Sequence, residues 1–404
     1  MNANKIDTAV LYPVAGIRLA TVCAGIKKPG RRDLLMIEIA EGTNTVAVFT
    51  RNAFCAAPVT IAREHLNTVS PRYLLVNTGN ANAGTGESGM NDALACCNAV
   101  AKATGCQINE VLPFSTGVIG QPLPVDKVVK GISDAVTKFD ADSWDDASMG
   151  ILTTDTVPKY VSRKIDIDGK IVTLTGIAKG SGMIRPDMAT MLAYIATDAN
   201  VEKNLLQNCL LRAVNMSFNR ITVDGDTSTN DACILMATGK SKVDIIEQTP
   251  AYELFATALD ELCVELAKAI VRDGEGATKL INIDVLQGAS EQECLDVAYT
   301  IGHSPLVKTA FFASDPNWGR ILAAVGRAGL NALVLDKINI YLDDVCIVRN
   351  GGRSADYTEE QGQAVMDRSE ITVRVELGRG NAQANIWTCD FSYDYVKINA
   401  EYRT

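Results

Sequence analysis

A threonine sits where a glycine-rich basic turn gives way to an apolar run: Lys179 to Ala199 reads KGSGMIRPDMATMLAYIATDA. A β-hydroxyl at the start of a strand has a chemistry of its own. Given a strained turn and an oxyanion hole, the hydroxyl of Thr190 can attack the carbonyl of Ala189, and hydrolysis of the resulting ester cuts the chain. The cut makes Thr190 N-terminal. Its α-amino group, with an ordinary pKa near 7.7 to 8.0, then becomes a general base for the hydroxyl beside it. This route to acyl transfer needs no imidazole, and the chain has only two histidines, His65 and His303. Each of these fits a surface or loop position better than a Ser-His-Asp, Cys-His or transition-metal site. Taken alone, a threonine opening a strand is equally an ordinary β-former.

Other stretches invite chemistry less well. Gly84 to Gly89, GTGESG, is a literal G-x-G-x-x-G between a strand and a helix. A dinucleotide site wants its first glycine to leave the strand directly, and a carboxylate ending the next strand about 20 residues on. Here NTGNANA intervenes and Cys106 to Glu110 shows no clear strand, so a tight loop is the better reading. Asp224-Gly225-Asp226-Thr227-Ser228 resembles the opening of aspartyl phosphatases, but the threonine that pattern needs is Ser228, and the spacing is not that of an EF-hand. A hydrogen-bonded polar turn supporting a nearby site fits it better. No metal site is expected. Eleven scattered cysteines without a C-x-x-C suggest reduced thiols rather than a disulfide frame.

Charge narrows the partners. A formal net charge of −10 and no basic block longer than KKPGRR argue against nucleic acid and anionic lipid. The N-terminal stretch lacks a basic segment followed by an apolar core, and no run approaches a membrane span, so a cytoplasmic protein acting on small molecules is expected.

The elements that must position these residues alternate irregularly. Strands are expected at Leu34 to Ala40 and Thr45 to Thr50 around the turn EGTN, at Tyr73 to Asn77, and at Met191 to Thr197. Asp168-Gly169 signals a hairpin between Lys164 to Ile167 and Lys170 to Thr175. Helices are expected at Met90 to Thr104, at Val201 to Phe218 with Asn200 as N-cap, and at Pro250 to Arg272. Near the end, Ile338 to Leu342, Val345 to Val348, Ile371 to Leu377 and Ala384 to Ser392 have strand composition, the last two joined across Gly378-Arg379-Gly380. The pattern predicts layered α/β packing with mixed or antiparallel sheets.

Six motifs then stand in one order: FSTGVIG (Phe114 to Gly120), TTDT (Thr153 to Thr156), the segment from Lys179, FNRITVDGDTSTND (Phe218 to Asp231), DGEGATK (Asp273 to Lys279) and DPNWGRILAAVGRAG (Asp315 to Gly329). Together they resemble the ornithine acetyltransferase family, the bifunctional glutamate N-acetyltransferases of arginine biosynthesis. The resemblance implies an α/β sandwich of the self-processing aminopeptidase type, cut between Ala189 and Thr190 into an α chain, 1–189, and a β chain, 190–404. The two chains would stay associated, commonly as a heterotetramer. It implies that Thr190 takes the acetyl group from N2-acetyl-ornithine and passes it to glutamate, with no cofactor, and leaves acetyl-CoA open as a further donor. Thr116 and Gly117 match the oxyanion hole; Thr153, Lys179, Thr190, Glu275, Asn399 and Thr404 match the substrate-binding positions. The alternative on the same scaffold is an amidase or aminopeptidase that gives its acyl group to water.

Overall fold

The structure, a computed structural model, describes residues 10–27, 29–185 and 191–402. In chain order the strands are β1 (Ile17–Val22), β2 (Leu34–Ile39), β3 (Asn44–Phe49), β4 (Tyr73–Asn80), β5 (Val111–Val118), β6 (Lys159–Ile167), β7 (Lys170–Lys179), β8 (Leu192–Thr197), β9 (Asn200–Val201), β10 (Ala232–Ala237), β11 (Asp244–Ile245), β12 (Leu280–Gly288), β13 (Asn339–Leu342), β14 (Val345–Arg349), β15 (Gly352–Arg353), β16 (Glu370–Glu376) and β17 (Ala382–Cys389). The helices are α1 (Ala57–Thr68), α2 (Gly86–Thr104), α3 (Val125–Ala135), α4 (Trp144–Gly150), α5 (Lys203–Met216), α6 (Pro250–Arg272), α7 (Glu291–Gly302), α8 (Pro305–Phe312), α9 (Trp318–Gly326), α10 (Glu359–Met366) and α11 (Tyr393–Ala400).

The chain divides into two compact units, the first taking the described parts of Met1–Met183, Asp187–Asn219 and Asp226–Ile270, the second those of Ile184–Pro186, Arg220–Gly225 and Val271–Thr404. In the first, a four-stranded sheet β1-β2-β4-β5 faces a five-stranded sheet β3-β10-β8-β7-β6. Leu35, Ile37, Val76 and Phe114 from one sheet meet Ile177, Tyr194, Ile234 and Met236 from the other in a shared core. The opposite face of the four-stranded sheet gives Leu34, Met36 and Leu75 to a second core with Cys96, Cys97 and Val100 of α2 and Val128 and Ile132 of α3. A strand buried on both faces reads as a continuous apolar run, as LLMIEI of β2 and LAYIAT of β8 do. Against the other side of β7, Leu262 and Leu266 of α6 approach so closely that a Cβ at Gly176 would meet them at 2.9 and 3.1 Å. Helices therefore flank a two-sheet sandwich, the layered mixed α/β fold the sequence predicts.

The second unit is built on a six-stranded sheet β15-β14-β13-β16-β12-β17. Ile283, Val285, Val373 and Ile340 of this sheet pack with Val297, Ala298 and Ile301 of α7 and Phe311 of α8. Among the described residues no helix is long and apolar enough to cross a membrane.

Several local expectations need correction. Leu34 to Ala40 and Thr45 to Thr50 do form strands, but not with each other: β2 lies between β1 and β4, and β3 pairs with β10 across the sandwich. A strand has two edges, and those of β2 are taken. Likewise β16 and β17 do not pair; β12 lies between them, parallel to β16 and antiparallel to β17. Asn200 is not the N-cap of α5. It pairs in β9 with β11, and its side chain bonds Asp244 at 2.6 Å. Glu202 caps instead, accepting from the N–H groups of Asn204 and Leu205 at 2.8 and 3.1 Å.

The glycine-rich GTGESG is the start of α2 and not a phosphate loop. Thr85 donates to Asn82 Oδ1, and Asn82 Nδ2 donates to the Gly89 carbonyl, both at 2.9 Å. A Cβ at Gly89 would lie 1.9 Å from the Thr85 hydroxyl, so the glycine makes room for this knot. A strand does follow, beginning at Val111 just past the window read as strandless, and β5 runs parallel to β4. Its last residues, Gly117 and Val118, carry no carboxylate, so the dinucleotide reading still fails.

Candidate functional site

The candidate residues fall into two groups, one in each unit. Ala189, Thr190 and Thr404 lie outside the described residues.

In the first unit, β5 and β7 belong to facing sheets, and their ends bring Thr116 and Lys179 together. Lys179 Nζ lies 3.0 Å from Thr116 Oγ1, with both side chains buried. An ammonium has only donors, so the hydroxyl must accept this bond. Its own hydrogen is thereby turned away from the lysine, toward whatever acceptor lies on the other side. Gly117, the next residue, has φ of +134°. A Cβ there would come within 2.3 Å of the Gly79 carbonyl carbon, because β4 and β5 run irregularly past each other at Gly79 and Asn80. Only glycine lets the two backbones close to this distance. Thr116-Gly117 is thus a strand end held by its neighbour, not a plain turn.

Thr153 and Lys179 are tied by a residue that the sequence reading quoted in TTDT but gave no role. Asp155 accepts from the N–H of Thr153 at 3.0 Å, from the N–H of Gly180 at 2.8 Å and from Lys159 Nζ at 2.7 Å. The Thr153 hydroxyl points to the same carboxylate at 3.4 Å. Asp155 and Lys159 side chains are wholly buried. Burial alone would raise the carboxyl pKa, but Lys159, Lys179 and the Thr153 N–H outweigh it and hold Asp155 well below the usual carboxylate range. The signal was present: aspartate and lysine four apart, just ahead of a strand whose neighbours are apolar.

A second carboxyl of this unit also escaped sequence reading. Asp231, at the end of FNRITVDGDTSTND, is 2% exposed. It precedes the Ala232↔Leu192 pair in the parallel β10·β8 ladder, and the Ala232 N–H bonds the Met191 carbonyl at 3.2 Å. Burial pushes its carboxyl well above the usual range, against Lys179, the Met191 N–H and the Ser228 hydroxyl, which favour the ionised form. The same motif does support the strand end: Asn230 Nδ2 donates to the carbonyls of Ala81 and Ser115 at 2.7 and 2.9 Å, the latter beside Thr116. In the stretch read as a polar turn, the Ser228 carbonyl accepts from the Thr50 hydroxyl at 2.7 Å and the Thr227 carbonyl from Asn52 Nδ2 at 3.1 Å.

In the second unit, Glu275 is buried and accepts from Asn399 Nδ2 at 2.7 Å, bringing α11 against the DGEGATK loop. That loop is anchored by Asp390, which accepts from the N–H groups of Thr278 and Lys279 at 2.8 and 2.9 Å and from the Thr278 hydroxyl at 2.6 Å. At Gly276 a Cβ would lie 2.6 Å from the Tyr395 nitrogen, so the helix start rests directly on the loop. A carboxylate and a carboxamide presented together can receive an ammonium.

His65 Nδ1 is 2.7 Å from the Val111 carbonyl at the end of α1, and His303 ends α7, its ring stacked on Tyr299 at 5.5 Å. His303 is more buried than a surface residue, and burial, with Arg185, Lys308 and Arg327, lowers its pKa to about 4. Most of the cysteines are buried free thiols; burial pushes that of Cys96 up to about 12.

Against known proteins, the ArgJ family matches residues 18–404 of this chain. The arginine biosynthesis bifunctional protein ArgJ of Pseudomonas fluorescens (strain Pf0-1) is 56% identical over 397 residues, 98% of either chain. Its counterpart in Methylococcus capsulatus is 60% identical over 395 residues, 98% of this chain and 97% of that one. Of solved structures, the arginine biosynthesis bifunctional protein ArgJ of Bacillus halodurans is 41% identical, covering 50% of this chain and 95% of its own with a TM-score of 0.48.

Proposed function

The chain belongs to the ArgJ family, and on that premise we propose how its residues carry out the family's acetyl transfer in arginine biosynthesis. The enzyme is a glutamate N-acetyltransferase, moving the acetyl group of N2-acetyl-ornithine to glutamate. In our reading the chain cuts itself between Ala189 and Thr190, and Thr190 is the nucleophile. Its α-amino group takes the hydroxyl proton, Oγ bonds the acetyl carbon, and the carbon–nitrogen bond of acetyl-ornithine breaks. The ammonium returns its proton to the departing ornithine nitrogen. Glutamate then attacks the acetyl-threonine in the mirror of these steps.

The observation that carries the assignment of Thr116 is its bond from Lys179 at 3.0 Å. With its oxygen occupied by an ammonium, the hydroxyl is a polarised donor suited to a tetrahedral oxyanion, with Gly117 beside it. Lys179 and Thr153, linked through Asp155, suit an α-carboxylate; Glu275 and Asn399 suit an amine. Thr404 joins the binding set by family likeness, as does acetyl-CoA as a second donor. The α and β chains, 1–189 and 190–404, stay paired and assemble as a heterotetramer in the cytoplasm. Intact mass under denaturing conditions tests the cut: two species meeting at Ala189/Thr190 are expected. Incubation with N2-acetyl-ornithine tests the transfer, since rapid ornithine release should require glutamate. A single uncut, fully active chain would overturn the Thr190 mechanism.

A further inference from the structure

The basic stretch KKPGRR ends on two arginines, Arg31 and Arg32, in the loop between β1 and β2. The base of this loop is fixed, because the buried carboxyl group of Asp33 accepts from the N–H groups of Ala24 and Ile26, both at 2.6 Å. Arg32 finds its counter-charge in Asp146. Arg31 instead donates through Nη2 to the carbonyls of Leu152 and Thr153, at 2.6 and 3.0 Å, and has no carboxylate partner among the described residues. Two neutral carbonyls orient a guanidinium without cancelling its charge, and a single nitrogen serves both, so most of its five donors stay available to a ligand. The residue is half-buried, where a charge is screened less than in open water. Its place is specific. The Thr153 N–H is bonded to Asp155, whose other oxygen accepts from the Gly180 N–H, next in the chain to Lys179. Arg31 thus grips the same residue that Asp155 ties to Lys179.

The transfer reaction poses a problem of charge. Acetyl-ornithine and glutamate both carry an α-carboxylate, but the side chain of one ends in an ammonium and that of the other in a second carboxylate. An enzyme that takes them in turn needs a group of each sign for these ends. Glu275 with Asn399 suits the ammonium, and Lys179 answers the α-carboxylate. Lys159 is wholly buried against Asp155, which leaves Arg31, among the described residues, as the cation on this segment with charge to spare. We propose that Arg31 receives the side-chain carboxylate of glutamate and so selects an acidic acceptor. This rests on the reading that Lys179 and Thr153 hold the α-carboxylate. A guanidinium already oriented by two carbonyls can offer paired N–H donors to the two oxygens of a carboxylate, a bidentate geometry that a lysine cannot reproduce.

Two half-reactions through one acyl-enzyme separate the substrates: kcat/KM for acetyl-ornithine reports the first alone, and kcat/KM for glutamate the second alone. Arg31→Gln keeps an amide N–H for the two carbonyls and removes the charge. Its kcat/KM for glutamate should fall about 10- to 100-fold, the loss of a charged hydrogen bond, and that for acetyl-ornithine by less than about threefold. Glutamine, alike but for the side-chain charge, is the control acceptor. The wild-type preference for glutamate over glutamine should exceed about tenfold and collapse in the variant. A smaller wild-type preference would refute the proposal outright. Equal falls for acetyl-ornithine and glutamate, with the glutamate-to-glutamine ratio unmoved, would show that Arg31 only braces Thr153 and would overturn it, as would an unchanged kcat/KM for glutamate. Should Arg31→Gln not fold, Arg31→Lys decides. It keeps the charge and a donor but not the fork, so the ratio should fall by at least about threefold; an unmoved ratio refutes Arg31 as the selector. Lys179→Met with both kcat/KM values intact fails the parent reading of the α-carboxylate; with those values reduced, the refuting results fail Arg31 alone.

Discussion

If the Thr116 hydroxyl stabilises the oxyanion only because Lys179 holds it, the two residues must act as one in turnover. The bond between them is 3.0 Å long and both side chains are under a tenth exposed, at 8% and 6%, so water cannot readily replace either partner. Thr116→Ala removes one oxyanion donor, which typically costs about 10²- to 10³-fold in kcat, or roughly 2.7 to 4 kcal/mol. Lys179→Met keeps a similar volume, removes the ammonium and frees the hydroxyl to turn. It should lose much of the same turnover, and in addition raise KM through the lost α-carboxylate contact, a charged hydrogen bond worth about 1.5 to 3 kcal/mol. The double variant should then have a kcat close to that of Thr116→Ala, a coupling of up to about 3 kcal/mol. The assay is ornithine release at saturating acetyl-ornithine and glutamate for all four proteins. Losses in kcat that add to within about 0.5 kcal/mol would show two independent residues and refute the reasoning.

Further outcomes follow from the same geometry. Thr190→Ala should leave a full-length, inactive chain by intact mass, and normal cutting would remove Thr190 from the mechanism. Asp155→Ala strands Lys159 in the core and should cost about 3 to 5 kcal/mol in denaturant unfolding, as breaking a buried pair does; a loss under about 1 kcal/mol would show that water reaches the site. His303 is held to about 4 against 6.5 ordinarily, so the unfolded chain binds its proton first. The contribution of this residue is full above about pH 6.5 and shrinks as pH falls to 4, by about 3 kcal/mol at 1.36 kcal/mol per unit. His303→Gln should flatten stability across that window; an unchanged slope would contradict the burial. Asn399→Ala should weaken acetyl-ornithine binding while the Ala189/Thr190 cut proceeds, with KM and mass as the paired readouts.

What the sequence determined by itself was whatever a short stretch of backbone decides alone. The Asp168-Gly169 turn joins β6 and β7 with φ of +53° and +79°, the conformation those two residues adopt more readily than others. Pro250 and Arg272 bound α6 as its amphipathic period and N-terminal proline require. The ordered motifs carried the family. Tertiary structure decided the rest, because a strand has only two edges and a buried charge must find its counter-charge wherever the chain supplies one. β3 was pushed to the opposite sheet because β1 and β4 fill the edges of β2, and β12 separates β16 from β17 for the same reason. Asp155 became the knot between Thr153 and Gly180, and Asp231 a carboxyl beside Met191, only when strands far apart in sequence closed over them. No local pattern records such pairings, since the free energy that selects them comes from burying the whole core at once.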